Sequence, residues 1–328
     1  MSARFAVLGA GAWGTALANR AAARGAHVFL WAHDRDHVAA MVATRANDKR
    51  LPGVRLADSI EPTADLACVG AADHVLAVVP AQALRATARA ARPFAKAGSD
   101  WIVCAKGVER GTHAFMSEVL AQETPDVAPA ILSGPSFAQD VSAGLPTAVT
   151  LAAGAMERAD LLCHALGGPT FRLYSSTDIR GVEVGGAGKN VLAIACGIAA
   201  GRGLGASAVA ALTARGFAEL ARLAAACGGR RETLMGLSGL GDLVLSCGSA
   251  QSRNFAFGER LGAGASLDAA SGGKLAEGVF TARALVELAR ARGVVMPISE
   301  TVDQIVAGRI GVADGARALM MRPQKAEM

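Results

Sequence analysis

Short apolar runs and helical stretches alternate along the first half of the chain, and the alternation then stops. "RFAVLGAG" is an apolar run ending on glycine, "AWGTALANRAAARG" reads as an alanine-rich helix closed by Gly25, and "AHVFLWAHD" is strand-like again. Further strand-like segments cover residues 74–80, 100–107, 129–138 and 146–152, with helical stretches such as 81–91 and 114–122 between them. This repeated order predicts a mostly parallel sheet with helices on both faces. From about residue 181 the pattern is helical. Residues 206–228 set Val209, Leu212, Phe217, Leu220 and Leu223 on one face, and Arg215, Glu219 and Arg222 on another that is expected to meet water. Residues 281–293 repeat this with Arg283, Glu287 and Arg290 outward. The expected architecture is an α/β domain over residues 1–180 and an all-helical domain over 181–328, with the active site in the cleft between them.

Composition narrows the classes. The chain has 328 residues, 52% hydrophobic and 19% charged, which fits a folded globular protein. Aromatics make up only 4%, so Ala, Val, Leu and Ile must build the core. The net charge of +5 is scattered, with no dense basic run, which speaks against nucleic acid and suits an anionic small molecule. Six cysteines form no CxxC pair, and no Cys, His and carboxylate cluster has ligand spacing, so reduced thiols and no metal are expected. The first residues resemble an export signal, but their glycines fall at nucleotide-binding spacing and another strand follows. No apolar run in the sequence approaches the ~20 residues of a membrane span. The expectation is a cytoplasmic protein without a membrane segment.

Gly9, Gly11 and Gly14 form GxGxxG where the first strand turns into the first helix. That is the context in which the pattern marks a Rossmann-type dinucleotide site, although nucleotide sites of the methyltransferase type share it. Gly9 suits the tight turn, Gly11 a close approach to pyrophosphate, and Gly14 helix packing on the sheet. After the second strand, Asp34 can bond a ribose 2′-hydroxyl while His33 and Arg35 can take a 2′-phosphate, so NAD and NADP both remain open. "VVP", "AKG" and "SGPSFA" end strands, where ligands of such sheets bind, and bring Lys106 and Ser136 forward. A solvated loop lysine explains Lys106 equally well.

In the helical half, "GLSGLGDLVLSC" presents Asp242 in a glycine-dense loop, "QSRNFAFGERLG" presents Arg253 between Ser252 and Asn254, and "GGKLAEG" presents Glu277. Arginine beside hydroxyl and amide groups suits a phosphate, and "SRN" alone also suits a helix cap. All six histidines lie in the first half, so a proton-transfer group in the second must be a lysine or a carboxylate. Lys189 in "EVGGAGKNVLAIACGIAAG" is the one charge between Glu183 and Arg202. A lysine in an apolar setting is costly to bury, and the same burial lowers its pKa toward a useful range.

Taken in order, "GAGAWGTALA", "LWAHD", "AKG", "SGPSFA", "GLPTAV", "GGAGKNVLAIA", "GLGDLVLSC", "SRN" and "AEG" closely resemble bacterial-type NAD(P)-dependent glycerol-3-phosphate dehydrogenases through nearly the whole chain. The resemblance implies a Rossmann-type domain followed by a helical domain like that of 6-phosphogluconate dehydrogenase. It also implies a homodimer and NAD(P)H-dependent reduction of dihydroxyacetone phosphate to sn-glycerol 3-phosphate, feeding phospholipid synthesis. By position, Lys189 matches the catalytic proton acceptor, and Asp242 orients it or a substrate hydroxyl. Lys106, Gly134, Ser136, Asp242, Ser252, Arg253 and Asn254 match substrate contacts. The cofactor positions matched are Gly9, Gly11, Trp13, Gly14, His33, Lys106, Ala138, Arg253, Leu275 and Glu277. Two residues depart from the family pattern: Gly188, where a bulky apolar residue is usual and where added backbone freedom at a helix start would loosen the lysine, and Ala276, a packing change. The rival readings are a β-hydroxyacid dehydrogenase with a carboxylate substrate and a cofactor-binding sensor without turnover.

Overall fold

The computed structural model describes residues 3–273 and 276–321. The first unit runs β1 (Arg4–Leu8), α1 (Ala12–Ala22), β2 (His27–Trp31), α2 (Arg35–Thr44), β3 (Ile60–Thr63), α3 (Cys68–Ala71), β4 (His74–Ala77) and α4 (Leu84–Ala91). It continues with β5 (Asp100–Val103), α5 (Met116–Glu123), β6 (Ala128–Ser133), α6 (Ala138–Ser142), β7 (Thr147–Ala153), α7 (Met156–Leu166) and β8 (Phe171–Ser176). The strands form one sheet in the order β3-β2-β1-β4-β5-β6-β7-β8, parallel throughout except where β7 runs against β6. Strand order reverses between β1 and β4, the point at which such sheets bind ligands. Along β1, Phe5 and Val7 join one apolar cluster while Ala6 and Leu8 join another. Side chains alternate across a strand, so both faces of the sheet are covered, and this is why its strands read as near-continuous apolar runs.

The second unit is helical: α8 (Ile179–Gly201), α9 (Ala206–Ala226), α10 (Arg231–Met235), α11 (Asp242–Cys247), α12 (Arg253–Gly262), α13 (Leu267–Ser271), α14 (Glu277–Ala291), α15 (Pro297–Val306) and α16 (Val312–Met320). The boundary between the units falls inside α8, after Glu183, and residues Arg110–His113 group with the second unit.

Two glycine pairs spaced by four residues hold α8 against α12. A Cβ would lie 2.1 Å from Phe255 O at Gly197, 2.0 Å from Glu259 O at Gly201, 2.2 Å from Ile194 O at Gly258 and 2.3 Å from Ile198 O at Gly262. Residues four apart share a helix face, so each helix presents a bare stripe and the backbones touch.

Three expectations change here. The helix carrying Lys189 has 23 residues, because it begins at Ile179 rather than at the glycines, and it is long and apolar enough to cross a membrane. It is nonetheless a core helix: from Gly181 to Ala199 every residue is buried except Lys189. Gly188 therefore lies in the third turn of a continuous helix, not at a helix start, and its missing side chain makes room for Leu220 of α9, whose Cδ2 would stand 2.1 Å from a Cβ there. Glu219, expected to face water, is 2% exposed. Its carboxylate accepts hydrogen bonds from Ile298 N (2.7 Å) and from the N–H and hydroxyl of Ser299 (3.2 and 3.0 Å), closing the first turn of α15.

Glu183 does similar work in the first unit. It accepts from Ser117 N at 2.7 Å, in the first turn of α5, from Ser117 Oγ at 2.9 Å and from Arg180 at 3.3 Å. Burial outweighs these bonds and pushes its pKa from 4.5 up to about 7. A raised folded-state pKa stabilises the fold fully below the unfolded value, and the contribution is lost as pH rises through 7. Stability is therefore expected to fall by roughly 1–3 kcal/mol from this group between mildly acidic and mildly alkaline pH. Glu183→Gln, which keeps an acceptor for Ser117 N, flattens that part of the profile in denaturant melts taken across pH. An unchanged slope contradicts the assignment.

Candidate active site

In the first unit the glycine loop has three distinct constraints. Gly9 adopts φ +121°, with a Cβ position only 2.9 Å from the Val78 backbone, so only glycine fits the turn. A Cβ at Gly14 would stand 1.9 Å from Gly9 O. Gly11 is different: its backbone is extended (φ −78°, ψ −179°) and a Cβ there meets nothing within 4 Å. Space is thus kept beside the first N–H groups of α1, where free donors and the positive helix end suit a pyrophosphate. The residues present fit a dinucleotide.

Around this loop, Trp13 is half-buried with its ring edge-on to Phe171 at 6.3 Å. His33 is exposed after β2. Asp34 caps α2: its Oδ1 accepts from Asp36 N and His37 N, both at 3.1 Å, and its Oδ2 pairs with Lys49 at 3.1 Å. The His37 N–H first and then Lys49 hold its pKa below the ordinary carboxylate value. The end of β6 contributes a second cluster, in which Gly134 O accepts from Lys106 Nζ and from Ser136 Oγ, each at 3.1 Å. Gly134 itself has φ +150° and a Cβ position 2.8 Å from Val149 Cα. Lys106 is therefore drawn to the strand ends rather than left as a loop lysine, and Ala138 opens α6 just beyond.

In the second unit, Lys189 Nζ donates to Asp242 Oδ1 at 2.6 Å and to Ser246 Oγ at 2.9 Å. The lysine side chain is 11% exposed and the aspartate 1%. Desolvation and a carboxylate partner act in opposite directions on an ammonium, so the pair carries a charge that the apolar helix alone would expel. Asp242 lies not in an open loop but at the first position of α11, entered from a π-helical turn over Leu237–Gly241 whose Gly241 N bonds Gly236 O at 3.1 Å. Single π-helical turns of this kind are frequent at functional sites. Gly185 makes the approach possible, since a Cβ there would meet Ser238 O at 2.6 Å.

A third cluster is amide-built. Asn254 Nδ2 donates to Asn190 Oδ1 and Asn254 Oδ1 accepts from Gly278 N, both at 2.9 Å. Ser252 is the N-cap of α12, accepting from Phe255 N at 3.3 Å. Arg253 is exposed at the first helical position, and Glu277 is the first residue of α14. Leu275 lies outside the described residues. Two partners escaped the sequence reading. Ser246 stands one helical turn after Asp242, a D-x-x-x-S spacing that could have signalled it, and Asn190 directly follows Lys189.

A dinucleotide loop at the switch point of a parallel sheet, with a lysine–aspartate pair on a helical unit, defines a nicotinamide-dependent dehydrogenase. The family model described as NAD-dependent glycerol-3-phosphate dehydrogenase N-terminus matches residues 4–159, and the C-terminus model of the same family matches residues 178–316. A glycerol-3-phosphate dehydrogenase [NAD(P)+] of a Bradyrhizobium species is 60% identical over 98% of each chain. One from Azorhizobium caulinodans is 57% identical over 99% of this chain and 98% of its own. A crystal structure of glycerol-3-phosphate dehydrogenase from Coxiella burnetii superposes with a TM-score of 0.94 at 38% identity, covering 98% of this chain and 99% of that one. The chain belongs to the NAD-dependent glycerol-3-phosphate dehydrogenase family and is an NAD(P)-dependent oxidoreductase.

The glycine geometry separates packing from binding. Gly11→Ala is expected to leave the melting temperature within about a degree, because the methyl meets only open space. It should raise the KM for reduced nicotinamide at least severalfold. Gly14→Ala drives a methyl into Gly9 O and is expected to destabilise the first unit by roughly 2 kcal/mol or more. Thermal melts alongside steady-state kinetics check both, and a destabilised Gly11→Ala enzyme with unchanged KM contradicts the reading.

Proposed function

We propose that the chain catalyses reversible reduction of dihydroxyacetone phosphate to sn-glycerol 3-phosphate with NADH or NADPH, supplying glycerophospholipid synthesis in the cytoplasm. The observation that carries this reading is the Lys189–Asp242 pair, a charge held on a helix that is otherwise buried over its central turns. When bound, the nicotinamide cofactor supplies or takes up the hydride. Gly9, Gly11 and Gly14, with the amino end of α1, would hold its pyrophosphate, and Trp13, His33, Ala138, Leu275 and Glu277 its remaining parts.

Lys189 as ammonium gives its proton to the alkoxide oxygen that forms at the substrate carbonyl; in the oxidation direction the neutral amine removes the hydroxyl proton. Asp242 and Ser246 fix the direction of Nζ, so little reorganisation accompanies proton transfer. Arg253 takes the substrate phosphate with its planar fork of donors, beside the hydroxyl of Ser252 and the amide of Asn254. Lys106, with Gly134 and Ser136, adds positive charge and hydrogen bonds at the strand ends. The net charge of +5 favours capture of an anionic substrate.

The protein is read as a homodimer. Support comes from an apolar cavity of about 1270 Å³ in the second unit, lined by Ile198, Leu212, Phe217 and Ile305. Leu204 and Met320 also line it and are 47% and 74% exposed. An apolar surface of this kind is typical of a covered face, and light scattering of the purified protein gives the mass directly.

Turnover of dihydroxyacetone phosphate, followed with NADH and NADPH, tests the reaction, and dihydroxyacetone serves as the phosphate-free control. The expected outcome is a strong preference for the phosphate ester that Arg253→Ala lowers by about tenfold or more, while the poor rate on dihydroxyacetone stays unchanged. Equal efficiency of the native enzyme on the two ketones contradicts the role given to Arg253.

A further inference from the structure

Beneath the glycine loop lies a buried polar chain that the reaction as described does not use. Asn47, 1% exposed, follows α2 and reaches back 37 residues in sequence. Its Nδ2 donates to Ala10 O at 3.0 Å and to Thr15 Oγ1 at 2.7 Å. Its Oδ1 lies 2.7 Å from Nε2 of His37, itself 8% exposed. A carbonyl oxygen can only accept, so the contact with Ala10 O fixes which end of the amide is nitrogen. The other end is then an oxygen, and His37 Nε2 is the donor toward it. Thr15 is completely buried and passes the chain on, its Oγ1 donating to Gly11 O at 2.9 Å.

The consequence follows from peptide geometry. In a trans peptide the C=O of one residue and the N–H of the next point in opposite directions. Asn47 draws the Ala10 carbonyl into the protein, and so turns the Gly11 N–H the other way. The Gly11 carbonyl already accepts the first bond of α1 from Thr15 N at 3.0 Å; Thr15 Oγ1 adds a second to it and so strengthens a direction that turns the Ala12 N–H outward. Among the described residues, no other side chain donates a hydrogen bond to Ala10 O. A two-carbonyl brace inside the fold thereby sets the direction of two N–H donors at the amino end of α1, where open space beside Gly11 is kept.

We propose that Asn47 is a positioning residue for the nicotinamide dinucleotide, orienting through Ala10 and Thr15 the backbone N–H groups that bind its pyrophosphate. The proposal rests on the reading of the glycine loop as the dinucleotide site. His37 is the outer member of the same chain: it holds the Asn47 oxygen, and its own backbone N–H bonds Asp34 at the start of α2. The brace acts on a part that NADH and NADPH share, so its loss affects both equally. It does not act on the ketone substrate.

The test is steady-state kinetics of Asn47→Ala, Asn47→Asp and Thr15→Val, with Gly11→Ala as a control on the loop itself. Asn47→Ala is expected to raise the KM for NADH and for NADPH by the same factor, about tenfold. Its kcat and its KM for dihydroxyacetone phosphate should stay within about twofold of the native values. Asn47→Asp places a second oxygen against the Ala10 carbonyl and gives a larger rise. Thr15→Val keeps the side-chain volume, folds where Asn47→Ala fails to, and gives a rise of about twofold to fivefold for both cofactors. Unchanged cofactor KM in folded Asn47→Ala and Thr15→Val, with only a lower melting temperature, overturns the proposal while Gly11→Ala still weakens cofactor. A rise confined to one of the two cofactors also overturns it, since that places the effect at the ribose. If Gly11→Ala has no effect either, the dinucleotide reading of the loop itself has failed.

Discussion

An ammonium can sit at one point of an otherwise buried apolar helix only where a carboxylate meets it, and the contact between Lys189 and Asp242 is that point. Its geometry makes demands on everything near it. The carboxylate is completely enclosed, so the lysine must arrive at hydrogen-bond distance; removing either partner from such a pair leaves an uncompensated charge at a cost of about 3–5 kcal/mol. Backbones must come close enough for short side chains to bridge them. Gly185 admits the π-helical turn that delivers Asp242, and Gly197 and Gly201 admit the backbone of Phe255 and Glu259 in α12. Through α12 the same close packing fixes Asn254 against Asn190, the neighbour of Lys189. Three glycines of this helix, Gly185, Gly197 and Gly201, thus serve the close backbone approaches around the pair.

Both units fix backbone groups as well as side chains where the proposed site residues lie. In the first, the Gly134 carbonyl gathers Lys106 and Ser136, and the Ala10 and Gly11 carbonyls are turned inward by Asn47 and Thr15. In the second, the N–H of Gly278 is taken up by Asn254. Each such group is fixed before any substrate arrives, which is the condition under which hydrogen bonds contribute most to catalysis.

Much of this was legible in the sequence, for physical reasons. A parallel sheet covered on both faces writes its strands as uninterrupted apolar runs, and β1, β2, β4, β5, β6 and β7 were read from them. The helices α2, α3, α6 and α7 and the strands β3 and β8 were not read; in the two strands, "IEPT" and "FRLYSS" mix polar and apolar residues without a clear run. Lys189 announced itself as a charge without local company, and the glycine fingerprint by its place after a strand. What sequence spacing does not record is contact between distant segments. Glu219 looked like part of a solvated stripe because its partners, Ile298 and Ser299, lie 79 and 80 residues away. Asn47 gave no signal for the same reason. Gly188 read as a loosened helix start because the first turns of α8, rich in glycine and a single glutamate, do not look helical in isolation. In the fold it is a seat for Leu220.

The central claim is that Lys189, held by Asp242, moves the proton that accompanies hydride transfer. The most direct test is Lys189→Met, which keeps the length of the side chain and removes its charge, measured for single-turnover reduction of dihydroxyacetone phosphate and, separately, for equilibrium binding of NADH. A loss of about a thousandfold or more is expected in the chemical step, with NADH affinity within about twofold of native. A folded Lys189→Met enzyme that keeps most of its turnover would contradict it.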